Sequence, residues 1–193
     1  MKKIGVLIEA HYDETEYKMF NTAFSQSGYE IEYLSYLWGQ DKLTFAGNDH
    51  TSEVTVSQCV TKVSPADFAG IILIGGYATD RLRYQENIQP GVPNSSPTVE
   101  FLRKAVSMMD SGKLKIGTIC HSLWLFCADK ALLKGRRVTC AHNIVCDVEN
   151  AGGVVEFDGT QTKEIVIDGG LITAKHPGVT EQFIKTFKSE LQM

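Results

Sequence analysis

Two runs of this chain are apolar without interruption, Ile4-Gly5-Val6-Leu7-Ile8 and Gly70-Ile71-Ile72-Leu73-Ile74, and a third, Leu114 to Ile119, is nearly so. A strand with one wet face alternates polar and apolar residues; these do not. Strands of this kind are buried on both sides, which points to a mostly parallel sheet with helices covering both faces. Segments with helical spacing separate them. Thr15–Ser27 places Phe20, Ala23 and Phe24 on one face and ends at Gly28, and Thr98–Asp110 turns Phe101, Leu102, Ala105 and Met109 inward.

The remaining pattern continues the alternation. Ile4–Glu9, Tyr29–Ser35, Gly70–Ile74 and Arg136–Cys140 read as strands, with shorter ones at Val154–Phe157, Glu164–Ile167 and Leu171–Ala174. Ile144–Asn150 and Glu181–Leu191 read as helices. Trp38–Ser57 is polar and glycine-punctuated, with alternating pieces at Leu43–Phe45 and Val54–Val56 that suggest a small hairpin. Tyr77–Pro97 reads as a long irregular loop, and such loops in compact domains usually carry function or an interface. No repeat, linker or domain boundary interrupts the chain, so residues 1–193 are expected to form one domain.

The third buried run leads straight into Cys120-His121-Ser122 and then the apolar, helix-like Leu123–Ala128. A strand joined to a helix without connecting residues forces a sharp bend at Cys120. Such an elbow lifts the thiol above the sheet and sets it at a helix N-terminus, where partial positive charge favours thiolate. Cys120 is therefore the candidate nucleophile, with His121 beside it. In a parallel sheet, ligands bind beyond the carboxyl ends of the strands. Glu16, Gly75, Gly76, His142 and His176 all follow strands and would meet Cys120 at that rim. A carboxyl group from Glu16 near the thiol would have a raised pKa and could share its proton, whereas Asp13 and Glu14 read as helix caps. Gly75-Gly76 supplies either an oxyanion hole or a tight turn. Asp80 reads equally as an orienting partner for His121 or as a solvated loop acid, and a lone histidine such as His142 or His176 is more often structural than catalytic.

Net charge is −4 with no basic run, which argues against a nucleic-acid partner. No apolar stretch approaches the ~20 residues that span a bilayer, and the N-terminal Lys2-Lys3 followed by a short apolar run reads as a first strand, not an export signal. A cytoplasmic location with reduced thiols is the default for the five cysteines. Cys59, Cys127 and Cys140 read as buried hydrophobes, Cys127 two α-helical turns beyond Cys120 on the same face, and Cys146 stays open. With no HxxxH, HExxH or CxxC pattern, neither a metal nor an organic cofactor is expected.

Gly117-Thr118-Ile119-Cys120-His121, the Gly75-Gly76 loop with Asp80-Arg81-Leu82-Arg83, Glu16, Glu149-Asn150-Ala151-Gly152-Gly153 and the hairpin Asp168–Thr173 together resemble the PfpI superfamily across nearly the whole chain. The resemblance implies a flavodoxin-like three-layer sandwich, usually a homodimer or an assembly of dimers. It implies Cys120 as nucleophile with Glu16 on its sulfur, His142 near the thiol, and, in the peptidase-like branch, Asp80 completing a Cys-His-acid triad across subunits. It implies glyoxalase or deglycase action on small reactive carbonyls as the leading activity, with peptide hydrolysis, or oxidative-stress sensing with little turnover, as alternatives. Three departures stand out: Ser122 where the family usually has glycine, the insert Gln85–Pro97, and the segment Trp38–Ser57.

Overall fold

The computed structural model describes residues 2–192; Met1 and Met193, the ends of the expected 1–193 domain, lie outside it. The apolar runs become the inner strands of one sheet. In chain order the strands are β1 (Lys2–Leu7), β2 (Tyr29–Ser35), β3 (Leu43–Ala46), β4 (Glu53–Val56), β5 (Gln58–Cys59), β6 (Gly70–Leu73), β7 (Lys115–Ile119), β8 (Arg137–Val138), β9 (Val154–Val155), β10 (Phe157–Asp158), β11 (Gln161–Thr162), β12 (Ile165–Asp168) and β13 (Leu171–Ala174). The helices are α1 (Glu14–Ser25), α2 (Ala78–Leu82), α3 (Pro97–Asp110), α4 (Lys130–Leu133), α5 (Val145–Asn150) and α6 (Thr180–Glu190).

Seven strands form the central sheet in the order β12-β13-β7-β6-β1-β2-β5. Every neighbour pair is parallel except β12 with β13. The order of the inner five is that of flavodoxin-like sheets, with the switch in chain direction between β1 and β6. Helices α1 and α6 pack together on one face, while α3 lies on the other against β7. Phe20, Phe24, Phe183 and Phe187 are fully buried between α1 and α6, with ring centroids 5.9–6.4 Å apart. Gly117 in β7 is what lets α6 approach, because a Cβ there would stand 2.6 Å from Phe183 Cζ. Among the described residues, no helix is long and apolar enough to cross a membrane.

Several local expectations change. The stretch after Cys120 is a 3-10 helix over Cys120–Ala128, not an α-helix. At three residues per turn, seven residues rotate about 120° past a whole number of turns, so Cys127 leaves the face of Cys120 and is only partly buried. The loop 77–97 opens with α2 and becomes irregular only from Arg83 onward. The expected strand Arg136–Cys140 shrinks to β8, which pairs with β9 outside the main sheet, and Val154–Phe157 is split between β9 and the β10–β11 hairpin.

The segment 38–57 does form a hairpin, β3 with β4. Its tip is strapped to α1. The Glu14 carboxylate accepts the Thr51 N–H at 3.0 Å, the Ser52 N–H at 3.2 Å and the Thr51 hydroxyl. The Tyr12 hydroxyl bonds Ser52 at 3.0 Å, and Gly47 lies against the Glu14 side chain with no room for a Cβ. The hydrogen bond from Thr51 is the main reason the Glu14 pKa lies below its ordinary value. Replacing Glu14 with alanine should therefore release the hairpin tip while leaving the sheet intact. Hydrogen exchange would show faster loss of protection at Thr51 and Ser52 and unchanged protection in β6 and β7; equal protection at the tip would refute the strap.

Candidate active site

Three loops converge at the carboxyl edge of the sheet, beside the β1–β6 switch. The first runs from β1 to α1. There Tyr12 forms isolated bridges to Gly47 of the hairpin and to Gly76 beyond β6. Asp13 caps α1 by accepting the Glu16 N–H at 3.0 Å, and its own N–H donates to Gly75 O at 3.1 Å. The cap and the spacing turn Glu16 into the protein, where it is fully buried.

The second loop is Gly75-Gly76, and its two glycines do different work. The Gly75 N–H donates to Glu16 Oε2 at 2.6 Å, and a Cβ on Gly75 would lie 2.5 Å from Glu16 Oε1. Gly75 thus holds the carboxyl group and is not itself in the cleft. Gly76 has φ of +76° and no space for a side chain between His11 O and Asp13 N; it lines the cleft, and its N–H bonds the Cys120 sulfur.

The third loop is the elbow. Cys120 has φ of +59°, a conformation that costs a non-glycine residue roughly 1–3 kcal/mol and persists only where neighbours enforce it. Ser122, the departure from the expected glycine, helps to enforce it: its buried hydroxyl accepts the Ile119 N–H at 2.8 Å across the bend. The Ala141 N–H binds Cys120 O at 3.2 Å from the far side. His121 Nδ1 stands 3.2 Å from Cys120 Sγ, and His121 Nε2 stands 2.9 Å from the Asn143 side-chain nitrogen. Tyr77 packs on the imidazole with centroids 5.2 Å apart.

The electrostatics run opposite to the expected preformed thiolate. Cys120 is 7 % exposed, and its pKa is pushed up to about 12, chiefly by burial and then by the Glu16 carboxyl, against bonds from the His121 and Gly76 N–H groups. Burial outweighs whatever the start of the 3-10 helix offers the sulfur. Glu16 is itself raised well above the carboxylate range by burial, with the Asp13 charge adding to it. A neutral Glu16 then exerts no charge on the sulfur. Burial, followed by His142, lowers the His121 pKa, which keeps that imidazole neutral and able to accept a proton. The resting pair is thus a thiol facing a neutral base.

Asn143 is the partner that sequence reasoning missed, and its amide is coupled to the imidazole tautomer. With the amide nitrogen on Nε2, the ring proton sits on Nδ1 and points at sulfur. With the amide turned over, its oxygen takes the Nε2 proton and Nδ1 accepts from the thiol. Asp80 does not fill this role within the chain: its side chain is 63 % exposed and pairs with Arg83 at 3.5 Å. His142 and His176 both line the cleft. His176 Nδ1 also accepts the Gly178 N–H at 3.0 Å, an end-capping bond. The cleft has a volume of about 280 Å³, and Asp13, Asn48, Tyr77 and Asn143 complete its polar and aromatic walls. Among the described residues, no three histidine, cysteine or acidic side chains cluster as a metal site would require.

Glu16 Oε1 is buried with no hydrogen-bond partner among the described residues, a setting that penalises a carboxylate far more than a neutral carboxyl. Because the folded pKa lies above the unfolded value, the unfolded chain releases the carboxyl proton first. Stability is then lost as pH rises from the ordinary glutamate range towards the folded pKa. Glu16→Gln, which mimics the protonated group, should be as stable as the parent near pH 4 and increasingly more stable above it, by up to about 1.4 kcal/mol per pH unit. Melting temperatures across pH 4–8 check this; a constant difference would mean the carboxyl is ionised in the fold.

Comparison with known proteins agrees with this architecture. A family model described as "DJ-1/PfpI family" matches residues 2–190. Protein/nucleic acid deglycase 2 of Escherichia coli is 30 % identical over 177 residues, 91 % of this chain and 90 % of that protein. General stress protein 18 of Bacillus subtilis is 28 % identical over 91 % of this chain and 90 % of its own. Among solved structures, Drosophila melanogaster DJ-1beta superposes with a TM-score of 0.74 at 18 % identity, covering 99 % of this chain and 94 % of that one. The flavodoxin-like sheet, the loops at its carboxyl edge and a family match spanning almost every residue place this chain in the DJ-1/PfpI family.

Proposed function

We propose that the protein is a cysteine-dependent enzyme acting on small reactive carbonyl compounds, in the manner of a glyoxalase or deglycase. The observation that carries this reading is the 3.2 Å approach of Cys120 Sγ to a neutral His121 ring inside a small cleft that the Gly76 N–H also faces. Two relatives bear the name deglycase, the Escherichia coli protein and Deglycase PfpI of Pyrococcus furiosus, the latter 29 % identical over 96 % of both chains.

In this reading His121 takes the thiol proton as Cys120 sulfur bonds to the aldehyde carbon of methylglyoxal. The developing oxyanion is held by the Gly76 N–H and then protonated, giving a hemithioacetal. His121, neutral again once its imidazolium has protonated the oxyanion, takes the proton from the first carbon and returns it to the second while the hydroxyl proton passes to the second oxygen, which yields a thioester of lactate, with Glu16 as the neighbouring acid. Water cleaves it to lactate and the free thiol, so methylglyoxal plus water gives lactate with no net oxidation. Burial keeps the thiol protonated at rest, so the base does the activation and no cofactor enters the scheme.

Purified protein should convert methylglyoxal to D-lactate. Cys120→Ala should abolish turnover, and His121→Ala should lower kcat/KM by roughly 10²–10⁴. Activity should rise with pH through the lowered His121 pKa, since the base form is required. A Cys120→Ala protein as active as the parent would end the proposal.

A second reading, amide hydrolysis, draws on the Asn143–His121 contact, since a cysteine-histidine-amide relay serves some thiol proteases. The Bacillus subtilis relative called "Putative cysteine protease YraA" is 26 % identical over 94 % of both chains. In this reading the protein is a homodimer or an assembly of dimers, and the exposed Asp80 of one subunit reaches the other's site. Release of a fluorophore from peptide amides, lost in both Cys120→Ala and Asp80→Asn, would favour it; turnover of methylglyoxal alone would exclude it.

A further inference from the structure

Asp13 has no part in the proton transfers above, yet it stands at the reacting sulfur. Asp13 is one of the residues lining the cleft beside Cys120, it caps α1 through its side chain, and its negative charge is felt by both the Cys120 thiol and the Glu16 carboxyl. Glu16, the other acid at this point, is fully buried, and burial raises its pKa well above the carboxylate range. None of the eleven residues lining the cleft is lysine or arginine. The guanidinium groups of the helix that follows Gly76 face other partners: the Arg81 charge acts on Glu9, while Arg83 stacks 4.9 Å from Trp124 and pairs with Asp80. The basic side chains in the lining are the three histidines, of which His121 is neutral and His176 accepts a backbone N–H. Asn48, carried into the lining on the strapped hairpin, is uncharged, and its backbone N–H is fixed to Tyr12 O at 2.9 Å.

A carboxyl or phosphate group on a substrate would therefore meet a fixed negative charge and no strong cation. Like charges a few ångströms apart in a partly dry cleft repel strongly enough to decide between substrates. We propose that Asp13 makes this cleft select neutral and amine-bearing carbonyl compounds and reject anionic ones, such as α-oxo acids and phosphorylated sugars. The naming of a substrate class rests on Cys120 being the nucleophile; the charge selection at its sulfur does not require turnover.

The test uses the sulfur itself. Iodoacetamide and iodoacetate attack through the same thiolate and differ in one negative charge, so the ratio of their rates at Cys120 cancels any change in thiol ionisation. Rates at Cys120 are read by peptide mass spectrometry in the intact protein at low salt. The parent should prefer iodoacetamide more strongly than a free small thiol does. Asp13→Asn, which retains a good helix cap, should lower the preference by about tenfold, and Asn48→Asp should raise it by a similar factor. Added salt should shrink both effects. A merely structural role for Asp13 would not give opposite shifts in the two variants. A ratio unchanged within about twofold in both variants overturns the proposal, whatever the outcome with carbonyl substrates. If the ratios move, methylglyoxal against glyoxylate extends the test to catalysis: the Asp13→Asn protein should gain on glyoxylate, and no gain would confine the selection to reagents and overturn the substrate class.

Discussion

The Glu16 carboxyl group, buried to zero exposure and held by one backbone N–H from Gly75, ties together the three pieces of chain that make the site. It comes from α1, its bond comes from the loop after β6, and its neighbour is the sulfur at the end of β7. A carboxylate in that position would carry a desolvation penalty of several kcal/mol. A protonated carboxyl carries a far smaller one, and burial drives it into that form. The group then offers a hydrogen where an anion would only repel a thiolate. The position also explains Gly75, since any side chain there would displace the carboxyl.

The elbow follows the same logic. A left-handed Cys120 is held by Ser122 below and Ala141 beside it. The strain turns the sulfur inward, towards the Gly76 N–H, instead of out into water. That inward turn is what removes the expected thiolate. A buried sulfur gains ordered N–H donors for a later oxyanion but loses the solvation that would ionise it at rest. His121 resolves the conflict by being uncharged, in contact, and backed by an amide able to switch the side of the ring that carries the proton.

How much of this was legible in the sequence depended on whether a residue's position was set locally. The apolar runs identify β1, β6 and β7 because burial on both faces removes the alternation of a half-wet strand, and the carboxyl-edge rule then brings Glu16, Gly76, Cys120 and His176 to one rim; His142 reaches it from the side ribbon instead. Leu123–Ala128 gives no hint of its 3-10 geometry because an apolar run on all sides has no period to distinguish three residues per turn from 3.6. Arg136–Cys140 was overextended because its apolar residues serve a side ribbon and not the main sheet. Asn143 and Asn48 were invisible for another reason. Each is an ordinary polar residue, Asn143 in a short 3-10 helix and Asn48 in the hairpin turn, and each gains a role only from a long-range contact, 22 residues away to His121 in one case and through the Glu14 strap in the other.

Three acids of α1 and its cap show how the fold assigns chemistry. Asp13, Glu14 and Glu16 share one sequence run, one kind of group and one helix end, where a macrodipole would favour all three as anions. Their fates diverge with what faces them. Asp13 caps the helix beside the cleft; Glu14 is held by three donors from the hairpin tip, which lower its pKa; Glu16 meets a dry interior that raises its own, against the single N–H of Gly75. Exchanging the surroundings of any two would ruin both. An ionised Glu16 would oppose the thiolate, and a neutral Glu14 would loosen the hairpin that delivers Asn48. The division of labour among these acids lies in the partners that β6 and the hairpin bring to them, and so the glycine loop and the strap are as much part of the site as the sulfur.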